Sequence, residues 1–144
     1  MYNRSKIRGY FLTELGSWCR DCAVAGTFLT RLPFPPIKNG NQKGRLAVSM
    51  RSFPLIGALV GSIAGLILIF MAALGLTPIA SAFIGLGAGI LVTGALHEDG
   101  LSDVADGLGG GNTLEKKLKI MRDSRIGAYG VLALIFSVGI RATV

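Results

Sequence analysis

From Ser52 to Leu96 the chain carries no Asp, Glu, Lys or Arg. Before it, Phe11, Leu12, Leu15, Trp18, Cys22, Ala25 and Leu29 fall near helical spacing, which predicts a helix over Tyr10 to Thr30 that is apolar on one side. Glu14, Arg20 and Asp21 make a full membrane span unsuitable there, so an interfacial or re-entrant helix is expected. It should end at Leu32-Pro33-Phe34-Pro35-Pro36, because proline lacks an N–H and biases the preceding residue away from helix. Residues 39–45 then form a polar, glycine-containing loop.

Phe53 to Leu76 predicts a first span, with Gly57, Gly61 and Gly65 repeating every four residues along one helix face. Small residues in that register let another helix approach closely. Thr77-Pro78 makes a turn, and Ile79 to Leu96 predicts a second span with Ser81, Gly85 and Gly89 again four apart, completing a tight hairpin. Gly107 to Gly111 should break the helix that carries the following polar segment. Asn112 with Glu115 resembles an N-cap and its capping partner, opening a short helix with Leu114, Leu118 and Met121 on one side. Ile126 begins a third span, and with no polar tail after it the chain reads as part of a larger bundle. The expected fold is all-α: a polytopic helical membrane bundle, 1–144 forming one domain with spans 53–76, 79–96 and 126–144. A soluble domain of 144 residues could not easily bury so long an uncharged run, whereas about 20 apolar residues suffice to cross a bilayer.

Charge refines the topology. The net charge is +7, and nine of the fifteen Lys and Arg residues lie between Arg4 and Arg51, with five more between Lys116 and Arg125. Aromatic residues do not interleave with them as base stacking would require, so nucleic acid is not the expected partner. Basic flanks instead mark the cytoplasmic side of membrane spans and put both ends of the hairpin there. The start of the chain does not have the clean apolar core of a signal peptide. Cys19 and Cys22 form a lone Cys-x-x-Cys lacking the ligands of a zinc site, and are expected to be ordinary reduced helix cysteines.

His97-Glu98-Asp99-Gly100-Leu101-Ser102-Asp103-Val104-Ala105-Asp106-Gly107 gathers four acidic residues and the only histidine directly after the apolar run. If the second helix continues through it, Asp99, Asp103 and Asp106 share one helix face near its C-terminal end. Carboxylates repel one another there and face the negative end of the helix dipole. Something positive should compensate, and Mg2+ or Mn2+ suits such hard oxygen ligands. The run is not an EF-hand loop. His97 could serve as a base, as a metal ligand or as a hydrogen-bonding helix residue.

A second constellation is Met121-Arg122-Asp123-Ser124-Arg125-Ile126-Gly127. Arg122 and Arg125 are spaced to share a helix face and grip a phosphate. Asp123 either adds a metal ligand or neutralises an arginine. Gly107 to Gly111 could present backbone amides to phosphate but matches neither the P-loop nor the dinucleotide fingerprint. An acidic metal site with arginines, opening to the cytoplasm from a helical bundle, suits phosphoryl transfer from a diphosphate-activated donor.

The acidic motif, together with Lys119-Ile120-Met121-Arg122-Asp123-Ser124-Arg125-Ile126-Gly127, strongly resembles the cobalamin synthase (adenosylcobinamide-GDP ribazoletransferase) family. Phe28-Leu29-Thr30-Arg31-Leu32-Pro33 and Phe53-Pro54-Leu55-Ile56-Gly57 resemble its early motifs. The resemblance implies a Mg2+-dependent transferase (Mn2+ as a substitute) of the bacterial plasma membrane, with its site facing the cytoplasm. It would join α-ribazole, or its 5′-phosphate, to adenosylcobinamide-GDP with release of GMP. By that likeness Asp99, Asp103 and Asp106 hold metal and take part in catalysis with His97, while Arg122, Arg125 and Asp123 face phosphate. The bilayer is the expected surrounding, and a second copy or other enzymes of cobalamin assembly are partners consistent with it. Members of the family extend past Val144 with further membrane helices, so the chain is expected to carry the metal half of the site. Two alternatives remain: a lipid head-group transferase of the CDP-alcohol type, and a membrane subunit that binds or transports cations without catalysis.

Overall fold

A computed structural model describes residues 4–35 and 42–143, with side chains from 13 to 35 and from 45 to 143. Most of the expected polar loop, Val144, and the side chains of Phe11 and Leu12 lie outside the described residues. The described residues form seven α-helices and no strand. They are α1 (Arg4–Leu29), α2 (Gln42–Ser49), α3 (Phe53–Ala73), α4 (Pro78–Thr93), α5 (Leu96–Gly110), α6 (Leu114–Ile120) and α7 (Ala128–Thr143), with a short 3-10 turn, Met50–Ser52, before α3. The chain divides into two compact units with the boundary inside α3, after Val60.

In the first unit α1 packs on α2 and on the 3-10 turn. Its buried face coincides only in part with the expected apolar one. Of that stripe Ala25 is buried, Cys22 and Leu29 are half-buried, and Leu15 and Trp18 are exposed, whereas the buried set also includes Asp21 and Ala23. A polar network selects that face. Asp21 Oδ2 accepts from Arg51 Nε at 2.8 Å, and its Oδ1 accepts from the Ser49 hydroxyl at 3.3 Å. Arg51 also donates to the Ser17 hydroxyl and lies 4.5 Å from the Trp18 ring centroid. A buried carboxylate needs partners of this kind, and they outrank the pull of the apolar stripe. After α1 the prolines turn the chain so that the Phe34 ring lies over Gly26, where any Cβ would overlap it.

In the helix running from Arg45 through Ala73 the most apolar stretch is only 6% buried. Leu55, Leu59, Leu66, Ile69 and Phe70 all stand exposed along it. A core helix of a soluble protein would be covered, so this one has the length and surface of a membrane span. The expected hairpin is only partly close-packed through its glycines. Gly85 of α4 lies against the Ala64 carbonyl and Leu68, but Cβ atoms at Gly57, Gly61 and Gly65 would meet nothing within 4 Å.

The second expected span does not continue into the acidic motif. α4 starts as its sequence suggests, with Thr77 Oγ1 accepting from Ala80 N at 3.3 Å and Pro78 in the first turn. It stops at Thr93, where Gly94 (φ 66) and Ala95 (φ 61) are both left-handed and α5 departs at a bend of 90°. α4 and α5 therefore meet the test for a span only as a broken pair, and α7 is a shorter apolar helix of 16 residues. α5 runs through Gly110, and the break expected within Gly107 to Gly111 falls at Gly111. The cap of α6 is Thr113, not Asn112: its hydroxyl accepts from Lys116 N at 3.3 Å. Within this unit α5 packs on α6 and α7, and α7 packs on α4.

Candidate functional site

The bend at Gly94-Ala95 decides what the acidic residues face. Gly94 N–H bonds to the carbonyl of Leu91 at 3.2 Å and Ala95 N–H to that of Ile90 at 2.9 Å, closing α4 in a left-handed cap. α5 then begins afresh, so Glu98 and Asp99 occupy a first turn, where the helix dipole favours negative charge. The sequence had suggested the opposite end of a helix.

Between α5, the segment after α6 and α7 lies a cleft of about 410 Å³ lined by Glu98, Asp99, Ser102, Asp103, Arg122, Asp123 and Ser124, with Ala95, Met121, Ile126 and Leu134 as its apolar wall. Asp99 and Asp103 are one helical turn apart on α5, and among the described residues no side chain bonds or pairs with either. Glu98 is held aside at 3.0 Å by Arg141 of α7.

Asp106 stands apart from this pair. It is buried and does not line the cleft. Its Oδ2 accepts from Gly127 N at 2.7 Å and its Oδ1 from Gly130 N at 2.8 Å. His97, in the first turn of α5, is exposed and also outside the cleft lining. Among the described residues no three His, Cys, Asp or Glu side chains come close enough to share one ion.

The arginines do not share a helix face, because α6 ends at Ile120 and residues 121–127 are a loop. Arg122 lines the cleft. Arg125 does not; its side chain is 87% exposed and makes a paired contact with Asp123, Nε to Oδ1 at 3.1 Å and Nη2 to Oδ2 at 2.7 Å. The Arg125 backbone N–H donates to the same carboxylate at 3.1 Å. These bonds hold the Asp123 carboxyl down from 3.8 to about 2, and the carboxylate in turn raises the Arg125 guanidinium. Asp123 thus neutralises an arginine, one of the two roles open to it from sequence.

An oxygen-only donor set fits a hard divalent cation. Mg2+ commonly takes one or two carboxylates and completes its shell with water and substrate phosphate rather than with an all-protein cage. Asp99 and Asp103 meet that requirement without a third ligand. Sequence reasoning did not single out Ser102, Ser124 or the role of Gly127 and Gly130. Ser102 had a signal, since it lies three residues after Asp99 on the same helix; the glycines had none, because their partner is more than 20 residues away.

Over residues 21–144 the chain matches the family described as cobalamin-5-phosphate synthase. A Rhizobium etli protein named adenosylcobinamide-GDP ribazoletransferase is 49% identical over 129 residues, 90% of this chain and 50% of that protein. Proteins of the same name from Bradyrhizobium diazoefficiens (50% identical; 84% of this chain, 46% of that protein) and Brucella canis (45% identical; 81% and 45%) are also similar. The chain spans about half the length of the curated relatives it matches. No solved structure matches it.

Proposed function

The chain belongs to the cobalamin-5-phosphate synthase family, and from that footing we propose that it supplies the metal- and diphosphate-binding part of a membrane transferase. The reaction is the joining of α-ribazole, or its 5′-phosphate, to adenosylcobinamide-GDP. A ribazole hydroxyl oxygen forms a bond to the phosphorus attached to the cobinamide and gives up its proton to water. The bond from that phosphorus to the bridging oxygen breaks, and GMP leaves with the electron pair.

The observation that carries this reading is the pair Asp99 and Asp103, unpartnered among the described residues and lining one cleft with Arg122. Two carboxylates one helical turn apart, open to the cleft, present the hard oxygen ligands that a divalent cation takes. When bound there, Mg2+ would neutralise charge on the diphosphate. Arg122 grips a non-bridging phosphate oxygen, and Asp123 keeps Arg125 out of the cleft, so the phosphate meets one guanidinium rather than two. Ile126 and Leu134 exclude water from one wall. Asp106 and His97 are left outside the ligand set.

The same reading takes the helices as a polytopic bundle in a bacterial plasma membrane. The basic residues before α3 and along α6 favour a cleft open to the cytoplasm. The test is Mn2+ binding followed by electron paramagnetic resonance in detergent, on this chain and on Asp103→Asn, with helicity checked for both. Tight binding that is lost in the variant is expected. A well-folded chain that binds no Mn2+, or a variant that binds it equally, would refute the two-carboxylate site.

A further inference from the structure

α7 begins without a cap of its own. Gly127 precedes its first residue, Ala128, and has no side chain to accept from the amides of the opening turn. Asp106 does what a cap residue would do, from a different helix. Its two oxygens take the N–H groups of Gly127 and Gly130, and a full negative charge sits at the positive end of α7. The fit leaves no slack. A Cβ on Gly127 would overlap Asp106 Oδ1, and one on Gly130 would overlap Asp106 Oδ2 and the Ser102 hydroxyl.

We propose that Asp106 is a positioning residue rather than a metal ligand: it fastens the end of the 121–127 loop to α5 and so fixes Arg122 against Asp99 and Asp103. The loop leads from Arg122 to Gly127 in a few residues, and α5 carries Asp99, Asp103 and Asp106 along two turns. The two walls of the cleft are therefore tied at one buried point, and the carboxylate that ties them is occupied on both oxygens. This rests on the cleft being the metal and phosphate site.

The experiment uses the full 144-residue chain in detergent, with Asp106→Asn, Gly127→Ala and Asp103→Asn. Gly127→Ala loosens the tie while leaving every carboxylate in place. Three quantities are read well below the unfolding temperature, with helicity checked: Mn2+ affinity, the affinity of the Mn2+-loaded chain for inorganic pyrophosphate, and a nitroxide distance. The labels sit at Leu108→Cys and Ala128→Cys, both exposed positions, in a Cys19→Ser, Cys22→Ser background.

Asp106→Asn and Gly127→Ala should keep Mn2+ affinity within about threefold of the parent, lower pyrophosphate affinity by about tenfold (the worth of one charge-assisted hydrogen bond), and broaden the distance distribution. A purely stabilising role would lower the melting temperature and leave pyrophosphate affinity intact. Loss of Mn2+ by Asp106→Asn to the extent seen for Asp103→Asn would overturn the proposal by making Asp106 a ligand. So would unchanged pyrophosphate affinity and distances in both variants. A parent chain that binds no Mn2+ refutes the reading of the cleft instead, and the distance distribution then decides the fastening by itself.

Discussion

Replacing Ala95 by glycine should stabilise the fold, by an amount that follows from its backbone. Ala95 has φ 61 and ψ 20, the one non-glycine with positive φ among the described residues. In that region an L side chain crowds the following carbonyl, at a cost of about 1–2 kcal/mol. Glycine removes the crowding but returns about 0.5–1 kcal/mol through the greater freedom of the unfolded chain. The difference, about 0.5–1 kcal/mol, corresponds to a rise in Tm of about 2–3 °C for a chain of this length. Gly94→Ala is the mirror experiment, placing a Cβ at φ 66, and should lower Tm by a similar amount. Ala95→Val should lower it further, because a β-branched side chain tolerates the left-handed region least. Thermal unfolding in detergent, followed by far-UV circular dichroism, measures all three. A Tm lowered by Ala95→Gly, with Ala95→Val unchanged, would mean that the two-residue left-handed hinge is not the backbone at this bend.

Other expectations separate packing, ion pairing and titration. Gly85→Val should cost about 1–3 kcal/mol by overpacking, since its Cβ would lie 2.8 Å from the Ala64 carbonyl; Gly61→Ala, in the interior of α3 with nothing within 4 Å, should instead raise Tm by the equivalent of about 0.5–1 kcal/mol. Asp21→Ala leaves Arg51 without its buried partner, and because Arg51 is 36% exposed the loss should be about 2 kcal/mol rather than the 3–5 of a fully buried pair. Asp21→Ala with Arg51→Met should recover part of that loss. The Asp123 carboxyl titrates lower in the fold than its ordinary 3.8, so its pairing with Arg125 is at full strength above that pH and fades as pH falls through about 2. Carbon NMR of the Asp123 carboxyl follows this, and Arg125→Ala should move the titration back up toward 3.8.

The sequence was legible where local chemistry decides the outcome. An uncharged run made α3, proline and threonine started α4, and amphipathic spacing made α6. Asp99 and Asp103 of the acidic motif and Arg122 and Asp123 of the basic one line the same cleft. It was illegible where a distant partner decides. The buried face of α1 is set by Asp21 and its contacts from Arg51 and Ser49, about 30 residues away, which no helical wheel of α1 contains. Asp106 belongs to α5 by spacing but to α7 by its bonds, so the regular offsets of Asp99, Asp103 and Asp106 suggested three equivalent ligands where only two line the cleft. The break at Gly94-Ala95 was hidden because alanine is a strong helix former and gives no warning of a left-handed conformation.

That break reverses the electrostatic setting of the acidic residues. In one unbroken helix the carboxylates would crowd a negative dipole end, and a cation would be needed merely to relieve the fold. With the bend, the opening turn of α5 favours Glu98 and Asp99, Arg141 answers Glu98, and the amides of α7 answer Asp106. Most of the negative charge is thus satisfied inside the protein. On α5 what is left over is Asp99 and Asp103, one turn apart and opening to the cleft that Arg122 also lines. On the proposed function, a fold that neutralises the other acids of α5 and leaves one neighbouring pair free offers a cation one place to bind. Such a site would serve a ligand and not stability: Asp99→Asn and Asp103→Asn should each leave the unfolding free energy within about 0.5 kcal/mol of the parent, while Mn2+ binding is lost. Substitution at Asp106 should do the reverse. It should lower Tm and keep the metal, and the crossing of those two outcomes separates a ligand pair from a structural tie on one helix.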